Sequence, residues 1–261
     1  MRAASVYEEL GIEPVINAAA TLTRLGGSRM PPPVVAAMGR AAESFVDLPE
    51  LQRRVGQRIA ALTGNEAAYV TSGAAAGIVL AVAACVAGTD PELVAAFPCR
   101  PGADQPEVIV HRSQRNGYDY AARQTGARMV EVGETTAELR TAMTERTACV
   151  LWFAGEHYAA GAPPLAEVIA VARDGGVPII VDAAAQIPTL ANLWRFTREM
   201  GADAAIFSGG KGLRGPQSSG LVLGRAEIIE GCRANGNPNC SIGRPMKAGK
   251  EELVGLLAAV E

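Results

Sequence analysis

"ACVLWFAGEHYAAGAPPLAEVIAVARDGGVPIIVD", Ala148 to Asp182, holds two apolar runs with a helical pattern between them. The runs "ACVLWF" (148–153) and "PIIVD" (178–182) are apolar almost throughout rather than alternating, as in strands covered on both faces. Pro164–Asp174 between them reads as a helix. Strand, helix, strand in that order is a βαβ unit, and its two strands lie parallel.

The same pattern spreads outward in both directions. Further strands are expected at "AAYVT" (67–71), "EVIVH" (107–111), "RMVEV" (128–132), "AAIFS" (204–208) and "GLVLG" (220–224). Helices are expected over Pro49–Leu62, Gly73–Ala87, Tyr118–Thr125, Thr136–Thr144 and Leu190–Met200, with another finishing the chain. "GLVLG" follows "AAIFS" with no helix between them, so it reads as an antiparallel member. The expected fold class is α/β: a three-layer α/β/α arrangement around a mostly parallel seven-stranded sheet. "PCRPGADQPE" (98–107) reads as a surface loop.

Bulk properties narrow the function. A chain of 261 residues suits one large domain, or a domain with a short extension. A net charge of −3 argues against general binding to nucleic-acid backbones. The five cysteines include no C-x-x-C pair, which favours a reducing, cytoplasmic setting over a disulfide or zinc framework. The N-terminus lacks the apolar core of a signal peptide. The most apolar stretch, "GAAAGIVLAVAACVAG" (73–88), is shorter than the roughly 18 residues that span a membrane, and reads as a buried helix.

Three strand ends carry chemistry. "YVTSGAAAG" runs from a strand through Ser72 and Gly73 into a helix of small residues, whose free N–H groups would hold an anion. "PIIVDAAAQIP" places Asp182 at the end of a very apolar strand, where a carboxylate needs a cation or several donors. "FSGGKGLRGPQSSG" (207–220) places Lys211 in a glycine-rich loop after a strand, where desolvation favours the neutral amine that forms Schiff bases. Singly, each has an ordinary explanation: a capped corner, a capping or paired aspartate, a surface lysine. Together they are a phosphate cradle, a ring-nitrogen carboxylate and a Schiff-base lysine, the three contacts that pyridoxal phosphate needs.

On "VINAAATLTRLGGSRMP", "TSGAAAG", "HRSQRNGYD", "VDAAAQ", "FSGGKGLRGPQSSG" and "GRPMKAGKEELVGLLAAVE", the chain resembles the fold-type I pyridoxal-phosphate enzymes. It resembles the branch that contains selenocysteine synthase and D-glucosaminate-6-phosphate ammonia-lyase. The resemblance implies an aminotransferase-like large domain with pyridoxal 5'-phosphate bound. Ser72, Gly73 and Ala74 would hold the phosphate, helped by Ser208. Asp182 would pair with the pyridine nitrogen, and Gln186 would approach the phenolic oxygen. Lys211 would bind the cofactor and serve as acid and base. His111, Arg112 and Ser113 are open alternatives for the residue covering the ring. Arg24, Arg29 and Arg115 are candidates for an anionic substrate.

The resemblance also implies domain limits. Residues 1–48 would be an N-terminal segment serving the active site and a dimer interface. Residues 49–245 would be the cofactor-binding domain, and 246–261 the start of a C-terminal region whose small domain is missing here. The implied reaction is α,β-elimination from a hydroxylated amino acid or amino-sugar acid such as D-glucosaminate 6-phosphate. Alternatives are seryl-tRNA selenium-transfer chemistry and a cofactor-binding interaction module without turnover. A homo-oligomer is expected in either case, with no membrane or nucleic-acid partner. His111, His157 and Glu156 lack metal-site spacing.

Overall fold

Seven strands form one sheet in this computed structural model, which describes residues 5–99 and 101–261. Arg100, inside the expected 98–107 loop, lies outside the described residues. The strands are β1 (Ala67–Thr71), β2 (Glu107–His111), β3 (Arg128–Val132), β4 (Thr147–Phe153), β5 (Ile179–Asp182), β6 (Ala204–Ser208) and β7 (Gly220–Gly224). Their order across the sheet is β1-β7-β6-β5-β4-β2-β3. Only β7 is antiparallel to its neighbours, β1 on one side and β6 on the other. The short link from β6 to β7 leaves no room for a crossover helix, so the chain must reverse.

Helices cover both faces. The longer ones are α1 (Pro32–Ala42), α2 (Leu48–Thr63), α3 (Ala74–Ala87), α4 (Thr136–Ala142), α5 (Leu165–Asp174), α6 (Ala226–Asn235) and α7 (Lys250–Val260). Successive strand residues point to opposite faces, so β5 sends Ile179 and Val181 one way and Ile180 the other. The first pair packs with Ile59 of α2, Leu139 of α4, Val168 of α5 and Leu256 of α7. Ile180 packs with Val79 and Val82 of α3 and Ile229 of α6. Both cores are continuous across several strands. Burying each large aliphatic side chain stabilises the fold by about 1.5–3 kcal/mol relative to leaving it exposed.

Helix α3 runs beneath the sheet centre and is buried at ten of its 14 positions. Gly77 lets it approach closely: a Cβ there would lie 2.8 Å from Cγ2 of Ile206 on β6 and 3.3 Å from Cγ2 of Val222 on β7. The apolar run in the sequence is therefore a buried core helix. No helix of the described residues is long and apolar enough to cross a membrane.

Some helical readings change. Leu190–Met200 is not one α-helix but a turn, Asn192–Trp194, running into a π-helical segment, Arg195–Glu199. Side chains compete with the helix backbone here. Asn192 Nδ2 donates to the Gln186 carbonyl at 2.6 Å, and Thr197 Oγ1 donates to Asn65 Oδ1 at 2.5 Å. Tyr118–Thr125 is likewise broken, into a 3-10 turn (Gly117–Asp119) and the short helix Tyr120–Arg123. Asp119 draws in Arg115 and Arg123 at that break. Helices α1 and α6 have no counterpart in the sequence reading. Helix α7 packs on α1 and α2, so the last helix lies against the two helices that precede the sheet.

Candidate active site

Strands β1, β4, β5 and β6 run in one direction and end at one edge of the sheet, where β7 begins. Gly220 there pairs with Thr71 on one side and Ser208 on the other. Ligands of open α/β sheets bind in the crevice beyond the carboxyl ends of the strands. A cavity of about 540 Å³ opens at this edge. Seven of the expected residues line it: Ser72, Gly73, Ala74, Asp182, Gln186, Ser208 and Lys211.

The anion cradle is built from backbone. Gly73 takes φ +151° just before α3, and a Cβ there would meet nothing within 4 Å. The backbone conformation, rather than crowding, therefore asks for glycine. Thr71 Oγ1 donates to the Gly73 carbonyl at 2.8 Å and holds the turn. Helix α3 has no side-chain cap, so the N–H groups of its first turn stay open to the cavity. They supply donors and the positive end of the helix dipole at one point. Ser72, Ser208 and Ser218 also line the cavity and offer hydroxyl donors. Gly220 presses on this turn from behind, where a Cβ would lie 2.6 Å from the Gly73 carbonyl oxygen. Gly220→Ala is therefore expected to displace the cradle, lowering stability by about 1–3 kcal/mol and weakening phosphate binding. Thermal denaturation and titration with pyridoxal phosphate check both effects.

Asp182 is 8% exposed. Among the described residues, the Ala184 N–H donates to its Oδ1 at 2.9 Å and no other hydrogen bond reaches the carboxylate. Burial pushes its carboxyl above the ordinary range, opposed by that bond and by the charge of Lys211. An under-partnered buried carboxylate suits a protonated ring nitrogen. Lys211 is half-buried on the loop after β6. The donor set thus fits a phosphorylated pyridine aldehyde: neutral N–H and O–H donors for the phosphate, an acid for the ring, an amine for the carbonyl.

Other side chains complete the walls. Phe153 ends β4, and its ring centroid lies 5.7 Å from that of Tyr158. Tyr158 stacks at 3.9 Å on His157, the histidine that does line the cavity. Gln186 Nε2 donates to the Ala154 carbonyl at 3.0 Å, tying the turn after β5 to the end of β4. Thr23, Tyr118 and Gln217 also reach the cavity. Of these wall residues the sequence reading weighs Gln186 and His157; the only signal for the rest is that they flank strand ends or the lysine loop.

Six expected site residues lie elsewhere. His111 is fully buried, with Nδ1 donating to the Gly133 carbonyl at 2.7 Å and its ring edge-on to Trp152. Strand alternation is the reason: Trp152 belongs to the core on the face opposite Phe153. Burial pushes the His111 imidazole below its usual pKa. Arg112 is exposed and pairs with Glu131 at 3.7 Å. Arg115 is held by Asp119 and Glu131. Arg24 and Arg29 sit on the N-terminal segment, where Thr23 and not either arginine lines the cavity. Ser113 donates to the Gly161 carbonyl at 3.0 Å, also away from the cavity.

The aminotransferase class-V family model matches residues 107–236. D-glucosaminate-6-phosphate ammonia lyase of Salmonella typhimurium is 37% identical across 98% of this chain and 69% of its own length. The chain belongs to the aminotransferase class-V family. A solved structure of D-glucosaminate-6-phosphate ammonia-lyase superposes with a TM-score of 0.90 at 36% identity, covering 98% of this chain and 69% of that one. A 5'-C-glycyluridine monooxygenase-decarboxylase of a Streptomyces species is 40% identical across 97% of this chain and 64% of its own length. The chain thus spans about two thirds of these family members.

Proposed function

We propose that the chain holds the catalytic core of a pyridoxal-phosphate-dependent lyase. It would remove the β-hydroxyl of a hydroxylated amino acid or amino-sugar acid, with D-glucosaminate 6-phosphate the leading candidate. The observation that carries this reading is the meeting of Lys211, Asp182 and the open first turn of α3 around one cavity. The 37% identity to the ammonia lyase supports the reaction class.

When bound, the cofactor supplies an electron sink for charge at the substrate α-carbon. The chain's own residues do the rest. The open N–H groups of α3, with Ser72 and Ser208, hold the phosphate. Asp182 keeps the ring nitrogen protonated; burial makes its anion costly until that cationic partner arrives. Lys211 anchors the cofactor carbonyl. Once its Nζ is free it takes the α-proton and returns a proton to the departing hydroxyl, which leaves as water. Phe153 and Tyr158 supply aromatic wall to the cavity. The dehydrated product then hydrolyses to a keto acid and ammonia.

The test is direct. Protein saturated with pyridoxal phosphate should release one ammonia per keto acid from D-glucosaminate 6-phosphate. Cofactor binding without ammonia from this or other β-hydroxy amino acids would refute the lyase reading. The 40% identity to a monooxygenase-decarboxylase favours one further reading, an oxygen-dependent decarboxylation at the same cavity. Carbon dioxide released from a glycyl-nucleoside only in air would identify it.

The assembly we propose is a homo-oligomer in the cytoplasm. Ile16 and Phe45 are wholly exposed, and Leu10 and Val15 are 75% and 67% exposed. Large apolar side chains left this exposed on the N-terminal segment are normally covered by a partner, and a second copy is the occupant proposed. A monomeric mass by light scattering at micromolar concentration would contradict it.

A further inference from the structure

The loop that carries Lys211 is gripped from outside by the N-terminal segment. Thr23 lines the cavity, and Gly26 and Gly27 follow with φ +83° and +74°. This left-handed pair turns the chain onto the lysine loop. Gly27 is buried there. A Cβ on it would overlap Oε1 of Gln217 and lie 2.7 Å from the Gly210 carbonyl oxygen. Two residues later, the Arg29 carbonyl accepts a hydrogen bond of 3.1 Å from Nε of Arg214.

Arg214 is the unusual partner. It holds φ +58°, one of two non-glycine residues with positive φ among the described residues. That conformation costs a residue with a Cβ about 1–2 kcal/mol per position. Glycine flanks it on the C-terminal side at Gly215. The loop's own hydrogen bonds, Arg214 N–H to the Lys211 carbonyl at 2.9 Å and Gly215 N–H to the Gly209 carbonyl at 2.8 Å, need no side chain at 214. Local closure of the turn is therefore met by backbone alone, and a glycine at 214 would close it without strain. What the arginine adds is the reach to Arg29.

We propose that Arg214 is a positioning residue. With the Gly26–Gly27 turn it forms a clasp that fixes the lysine loop, and so the Lys211 amine, relative to Asp182 and the phosphate cradle. The clasp acts on Lys211 through the Lys211–Arg214 hydrogen bond and through the Gly210 and Gln217 contacts. The consequence for the cofactor rests on the function proposed above; the consequence for Lys211 itself does not.

Arg214→Gly separates the clasp from the fold. Glycine relieves the strain at φ +58°, so the variant should melt no lower than the wild type. It nevertheless deletes the tether. The chain has only three lysines, Lys211, Lys247 and Lys250. Limited acetylation of the cofactor-free protein, mapped by mass spectrometry, can therefore read Lys211 against two internal references. Losing one net hydrogen bond predicts that Lys211 is acetylated about three- to tenfold faster, with Lys247 and Lys250 unchanged. The dissociation constant for pyridoxal phosphate should rise by the same factor. Arg214→Lys, which retains a cationic donor, should recover part of both effects. Wild-type acetylation of Lys211 in Arg214→Gly would overturn the clasp. If acetylation changes and wild-type protein binds no cofactor, the clasp stands and the proposed function falls.

Discussion

Lys211→Ala is expected to abolish the visible absorbance band of the protein mixed with pyridoxal phosphate. It is also expected to lower ammonia release by at least about a thousandfold. Acid–base catalysis alone contributes about 10²–10⁴, and the variant loses the anchoring amine as well. Stability should hardly move, because Lys211 is half-buried, no hydrogen bond is made by its Nζ among the described residues, and the loop is held by backbone bonds. Substitutions of this kind usually stay within about 0.5 kcal/mol. A visible band that survives the substitution, with unchanged turnover, would remove Lys211 from the chemistry. A spectrophotometric titration and an ammonia assay settle it together.

Asp182→Asn should produce effects of opposite sign on stability and function. Burial raises the carboxyl pKa in the fold, so folding favours the protonated form. Its contribution is most favourable below the ordinary carboxylate pKa and is lost as pH rises through the raised value. Near neutral pH the cofactor-free wild type carries the cost of a buried anion. Asparagine removes that cost and can keep the Ala184 bond through its own Oδ1. The variant should therefore melt higher than the wild type without cofactor, and the difference should shrink on acidification. With cofactor the order reverses. A cationic ring nitrogen loses its counter-charge, a change worth about 3–5 kcal/mol when one partner of a buried pair is removed. That corresponds to a loss of about two to four orders of magnitude in kcat/KM. Melting curves across pH with and without pyridoxal phosphate carry the test; equal melting temperatures at every pH would contradict the assigned burial cost.

All seven strands were legible as short, mostly apolar runs closed by turns; the six other than β3, which lies at the sheet edge and is partly exposed, are almost wholly buried, as a sheet covered on both faces imposes. The antiparallel turn of β7 was legible from the missing helix. The helices were less so. Helix α1 begins inside "PPP" (31–33) and had no counterpart in the sequence reading, although proline in a first helical turn costs little. Asn192 and Thr197 diverted the Leu190–Met200 helix by side-chain bonds that no periodicity reveals.

Within the site, residues fixed by a strand end or the turn after it were legible: Ser72, Asp182, Ser208 and Lys211 all reach the cavity. His111 stands at a strand end too, but alternation turns it to the other face. The arginines could not be placed from the sequence, because their positions depend on partners such as Asp119 and Glu131 that only folding brings together. Tyr118, Tyr158 and Gln217 reach the cavity from loops, and their approach is a tertiary property. The N-terminal grip on the lysine loop is of the same kind, joining residues 185 positions apart in sequence.

The central claim is that Lys211 is the attachment point for pyridoxal phosphate. Borohydride reduction of the protein–cofactor mixture, followed by peptide mapping, tests it most directly, since the chain offers only Lys211, Lys247 and Lys250. The account predicts a single pyridoxylated peptide containing Lys211, absent when Asp182 is intact but Lys211 is replaced by alanine. Stoichiometric label on Lys247 or Lys250, or none on any lysine with the cofactor in excess, would contradict it.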